Sequence, residues 1–117
     1  MKIPRPTDDD MAALRRAVAE LPGVTVKPMF GNLGAFVNGN MFAGLFGSAV
    51  GVRLVDEAGR AELSAVEGSG PFGPSERPMK GYITLPVHWG SDTDDARTWI
   101  GRAFTEVSGL PPKRPKR

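Results

Sequence analysis

Residues 24–55, VTVKPMFGNLGAFVNGNMFAGLFGSAVGVRLV, decide the fold. The strongest signal inside them is Asn38-Gly39. Asn and Gly tolerate the positive φ of the tight two-residue turn that joins antiparallel strands. Working outward, residues 24–30 read as a strand and Gly31-Asn32-Leu33-Gly34 as a turn. The next strand starts at Leu33 or Ala35 and runs to Asn38. Residues 41–46 return, Gly47-Ser48-Ala49 turns again, and residues 50–55 follow. The stretch is therefore a meander of about four antiparallel strands.

Helical patterns flank it. Thr7 is a suitable N-cap, and Asp8, Asp9 and Asp10 fall in the first turn, where negative charge suits the helix dipole. That role explains the acidic run better than metal binding, because consecutive carboxylates on a helix point in different directions. Met11, Leu14, Val18 and Leu21 recur at helical spacing, and Pro22-Gly23 stops the helix. After the meander, Asp56 caps a short helix reaching about Glu67, with Leu63 and Val66 as its apolar contacts. Residues 68–78, GSGPFGPSERP, form a Gly/Pro loop. Residues 79–85 read as a last strand, with Met79, Gly81, Ile83 and Leu85 on one face. Ser91 caps the final helix with Asp94 three residues on, and Ala96, Trp99, Ile100, Ala103, Phe104 and Val107 make its apolar stripe. The predicted order is α-β-β-β-β-α-β-α. It fits an α+β two-layer sandwich, helices against one antiparallel sheet of about five strands. Residues 1–110 read as a single domain, and residues 111–117 as a flexible, basic, Pro-rich tail.

The same residues exclude several kinds of chemistry. With no cysteine there is no disulfide, thiolate nucleophile or Cys-based zinc site. The N-terminus has no apolar run of the secretory type, and the longest apolar stretch, residues 41–52, is broken by glycines and too short for a bilayer. A cytoplasmic protein without a membrane partner is expected. The net charge of +2 owes much to the tail: Lys113, Arg114, Lys116 and Arg117 supply four of the 15 basic residues, leaving 11 against 13 acidic groups in the body. Those four cations could touch phosphates, but only weakly and without sequence preference. The letters GxGxxG at residues 68–73 follow a helix and contain Pro71, whereas a dinucleotide loop follows a strand and opens a helix. Gly31-Asn32-Leu33-Gly34 matches a GxxG nucleic-acid clamp in letters alone, since that clamp joins two helices. His88, the single histidine, has no flanking catalytic motif, and nothing sets Glu57, Glu62, Glu67 or Glu76 apart as an acid–base pair. The reading is a non-enzyme with no cofactor, no metal and no catalytic residue.

Residues 41–46 carry the clearest functional hint. Strict alternation puts Met41, Ala43 and Leu45 on one face and Phe42 and Phe46 on the other. Both faces are apolar, so the strand is either covered twice or offers a contact surface. In a sheet covered by helices on one face, Phe36, Phe42 and Phe46 would join Tyr82 on the uncovered one, the kind of patch that serves protein partners or a homodimer.

Three runs together resemble a known family: KPMFGNLGAFVNGNMFA at residues 27–43, VGVRL at residues 50–54, and Phe72 with RPMKGY at residues 77–82. The chain is similar over roughly residues 11–108 to the N-terminal domain of the TfoX/Sxy family, regulators associated with bacterial competence for DNA uptake. The resemblance implies a compact α/β domain in transcriptional control, contacting proteins of the transcription machinery. Full-length regulators of the family work with the cyclic-AMP receptor protein. This chain departs from them in that no second, helical domain follows, so it reads as a stand-alone N-terminal domain. No catalytic residues come with the resemblance. Among the shared positions, Met29, Phe30, Phe72, Arg77, Met79 and Tyr82 are candidates to line one groove for a partner. An alternative reading is a small-ligand site in the loop 68–79, where Phe72 and Arg77 stand among glycines and prolines.

Overall fold

The computed structural model describes residues 5–29, 32–73, 79–86, 89 and 93–111. The elements are α1 (Asp8–Val18), β1 (Val24–Met29), β2 (Asn32–Val37), β3 (Asn40–Phe46), β4 (Ala49–Arg53), α2 (Glu57–Ser64), β5 (Gly70–Pro71), β6 (Tyr82–Thr84) and α3 (Asp94–Ser108). The strands form one antiparallel sheet in the order β1-β2-β3-β4-β6-β5. The architecture is the expected α+β sandwich. The sixth strand is the two-residue β5, a part of the Gly/Pro loop that pairs with Thr84 and Ile83 of β6.

Local chemistry explains most of the boundaries. Asn38 and Gly39 have φ of 52° and 78°, so the β2–β3 hairpin turns through the left-handed region that these two residue types tolerate best. Thr7 caps α1 with a reciprocal box: its hydroxyl accepts from the Asp10 amide at 3.0 Å, and its own amide donates to Asp10 Oδ2 at 2.9 Å. The cap of α3 is Thr93, whose hydroxyl accepts from the Ala96 amide at 3.2 Å, rather than Ser91, which lies outside the described residues. The expected strand over residues 79–85 shortens to Tyr82–Thr84. Gly81 turns the chain at φ 83°, and the Tyr82 amide donates to the Met79 carbonyl. Met79 and Gly81 therefore do not continue the face of Ile83 and Leu85.

Two further departures come from β2 and β3. Asn32, Leu33 and Gly34 are not a turn but the start of β2, paired with Met29, Pro28 and Lys27. In β3, Ala43 faces Ala35 but Met41 faces Phe36, which makes Phe42 an extra residue, a β-bulge. The bulge puts Phe42 on the same face as Ala43 and Leu45, and sends Met41 to the opposite face with Gly44 and Phe46. Strict alternation fails at that one position.

The three helices of the described residues lie on one face of the sheet. Leu14 and Val18 of α1, Leu63 of α2, and Ala96, Trp99, Ile100, Ala103 and Val107 of α3 share a single buried cluster with sheet residues such as Ala35, Phe42, Val52 and Ile83. Small side chains at Ala35, Ala43, Ala96 and Ala103 let α3 lie close on the central strands. Glu106 of α3 holds the chain between β4 and α2. Its Oε1 accepts from the amides of Val55 and Asp56 at 2.7 and 2.9 Å.

The other end of the helical layer is tied by Asp10, whose Oδ2 also accepts from the Ser48 hydroxyl at 3.0 Å. These bonds, the Thr7 amide first, hold the Asp10 carboxyl below its ordinary value against a smaller opposing effect of burial. A depressed carboxylate pKa stabilises the fold above the unfolded-state value and loses that contribution as pH falls through the folded-state value. Below about pH 4 the melting temperature of the wild type should therefore fall more steeply than that of Asp10→Asn, which keeps an acceptor but does not titrate. Thermal melts across that range check the difference, and parallel curves would remove Asp10 from the acid response.

Candidate functional site: the helix-free face of the sheet

The second face of the sheet begins with an absence of side chains. Gly34, Gly44 and Gly51 stand side by side in β2, β3 and β4, and the same register line continues through Thr84 of β6 to Gly70 of β5. Alternation from the core residues Ala35, Ala43, Val52 and Ile83 turns this line away from the helices. The result is a trough across five strands.

Larger side chains lie over the trough and fix why glycine is needed there. A Cβ on Gly34 would sit 2.9 Å from the Phe36 ring and 3.0 Å from Met41 Sδ, and one on Gly44 would sit 3.3 Å from the same sulfur. A Cβ on Gly51 would penetrate the Phe72 ring. Phe72 is 3% exposed although it follows the edge strand β5, and it is absent from the cluster under the helices. It belongs to a second, smaller apolar cluster. Phe46 meets its ring edge-on at 6.3 Å and 69°, and Tyr82 lies tilted against it at 6.0 Å and 30°. The Met79 amide donates to the Phe72 carbonyl at 2.9 Å, and the Thr84 hydroxyl donates to the Pro71 carbonyl at 2.7 Å. Phe72 thus packs the end of β5 onto the helix-free face.

Polar groups frame this cluster. The Tyr82 hydroxyl donates to the Met41 carbonyl at 2.9 Å, across β4 from β6 to β3. Burial raises the phenol above its ordinary value, opposed by the neighbouring Arg53, so Tyr82 is a neutral donor at neutral pH. Lys27 Nζ stands 4.5 Å over the Phe36 ring. Buried Asn32 accepts from the Gly47 amide at 2.8 Å and braces the β3–β4 turn. Phe36, Phe46, Met29, Met79 and Tyr82 remain partly exposed. Chemically the face offers aromatic and thioether surface with cations at its margins, and among the described residues no converging acid–base pair. Among the described residues no three His, Cys, Asp or Glu side chains gather as metal ligands would.

Of the residues singled out from sequence, Met29, Phe46, Phe72 and Tyr82 share this face, and Met79 packs beside Gly73 next to Phe72. Phe42 does not. It is fully buried under the helices, edge-on to Phe104 of α3 at 5.4 Å and 74°. Met41 takes the place that alternation assigned to Phe42. Phe30, Arg77, Lys113, Arg114, Lys116 and Arg117 lie outside the described residues, as does His88. The glycine line was the missed element. The two-residue turn at Gly47-Ser48 is enough to set Gly44 opposite Gly51, but only the bulge brings Gly34 opposite Gly44.

Among the described residues no helix is long and apolar enough to cross a membrane. Neither the curated proteins nor the solved structures gave a match to this chain. A family comparison did: residues 16–107, most of the chain and nearly all of the sandwich just described, match the TfoX N-terminal domain, and the chain belongs to that family.

Proposed function

We propose that the chain is a non-enzymatic regulatory or adaptor domain that binds protein partners inside the cell, in transcriptional control of the competence type. Family membership supports the regulatory setting. The observation that carries the protein-binding part is the second apolar cluster. Phe36, Phe46 and Tyr82 are left partly exposed on a face that no helix of the described residues covers, with Lys27 and Arg53 beside them. Aromatic residues ringed by cations fit a partner segment that presents apolar side chains with acidic neighbours. A second copy of the chain is the simplest competing occupant.

Phe46→Ser is the informative change, because Phe46 contributes to the surface without being buried in the core. The variant should stay folded, with a lowered melting temperature, and lose the partner that the wild type captures from native lysate. Light scattering on the pure protein separates self-association from capture of another protein. Capture unchanged by Phe46→Ser would sink the assignment to this face.

A further inference from the structure

A different site lies where β4 leaves the sheet. Residues 54 and 55 and the turn at residues 80–81 border a cleft of about 440 Å³. Three cations line it, each from a separate element: Arg53 at the end of β4, Arg60 in α2 and Lys80 in the turn before β6. The remaining lining residues, Leu54, Val55 and Gly81, carry no charge. We infer that this cleft binds a phosphomonoester group.

The cluster is not a by-product of a basic protein, since residues 1–112 carry more acidic than basic groups. Among the described residues, two carboxylates next to the cleft make other bonds. Glu106 accepts from the Val55 and Asp56 amides, and Asp56 caps α2 by accepting from the Ala58 amide at 3.4 Å. Arg60 is fixed in place: one guanidinium nitrogen donates to the carbonyls of Leu54 and Val55, both at 2.8 Å. That anchoring leaves a planar group with further N–H donors already oriented, which lowers the ordering cost of binding an anion. The left-handed turn at Gly81 lets Lys80 return alongside Arg53. Three like charges around one small cleft repel each other, and a dianion relieves all three contacts at once. A phosphodiester backbone carries one charge per group and is better served by a long basic stripe than by a compact site. Val55, at 41% exposure the sole large hydrophobic residue strongly exposed among the described ones, gives the rim an apolar contact for the body of the ligand.

Titration of the labelled full chain with inorganic phosphate, at ionic strength held constant with sodium chloride, tests the inference. Amide signals of Leu54, Lys80 and Gly81 should shift along a saturating curve with a Kd of about 1 mM or tighter. Lys80→Gln and Arg53→Gln should each weaken binding roughly tenfold, as expected for the loss of one charge-assisted contact. Lys80 is exposed, so its variant should melt as the wild type does. Shifts that match those in sodium chloride alone, or that survive Lys80→Gln, would overturn the assignment. So would tight binding of a single-stranded oligonucleotide that phosphate fails to displace, which would make the cleft a phosphodiester contact. Arg53 borders both sites, but Lys80 does not, so the Lys80→Gln result tests the cleft separately from the partner-binding face, which Phe46→Ser tests.

Discussion

Gly51→Ala should destabilise the protein by roughly 1–3 kcal/mol, although alanine is normally the better residue in a strand. Its backbone is not in the left-handed region, so the substitution carries no conformational penalty and a small entropic advantage. The sign is decided by the Phe72 ring, which occupies the space a methyl group would take. Either the ring is driven off the sheet, uncovering a side chain now 3% exposed, or the strand shifts beneath it. Both responses are costly in a close-packed cluster. Urea denaturation of Gly51→Ala, Phe72→Ala and the double variant separates the causes. In the Phe72→Ala background the Gly51→Ala change should become neutral or mildly stabilising. Additive losses would mean that Phe72 does not rest on Gly51 in solution.

Phe42→Ala should cost about 3–5 kcal/mol, the range for deleting a buried aromatic ring, against a total stability on the order of 5–15 kcal/mol. It removes a fully buried side chain and its edge-to-face contact with Phe104. Phe46→Ala, four residues along the same strand, should cost less than half as much because its ring is partly exposed. The pair tests the bulge directly. Under strict alternation the two rings share a face and should respond alike, whereas the bulge places them on opposite faces of the sheet. Chemical denaturation of both variants is sufficient, and equal losses would reject the assignment.

These two residues also mark the limit of what could be read from the sequence. Helix positions were legible because caps and apolar spacing are local: Thr7 with Asp10, Asp56, and the stripe from Ala96 to Val107 each announce themselves within one or two turns. The meander was legible for the same reason, since Asn38-Gly39 fixes one hairpin within four residues. Facing was not. A strand whose neighbours on both sides are apolar gives no polar residue to mark the outer face, and one extra residue at Phe42 reverses the phase unseen. In the sequence Gly34 reads as part of a turn because glycine usually signals one. Its actual reason, the nearness of Phe36 and Met41, lies across the sheet and has no local signature. Met29, Phe46, Phe72 and Tyr82 therefore lie together on one face of the sheet, whereas Phe42 lies on the other and Met41 takes its place.

The line of glycines has a mechanical consequence as well. Sheets are stiffened across their width by side chains that touch from strand to strand. On the helix-free face, Gly34, Gly44 and Gly51 supply none, so the sheet carries a crease running across its central strands. What resists bending at that crease is laid on from outside it: the Met41 thioether over β2 and β3, and the Phe72 ring over β4. Phe72 thus acts as a splint, bracing the sheet where its own strands supply no side chain.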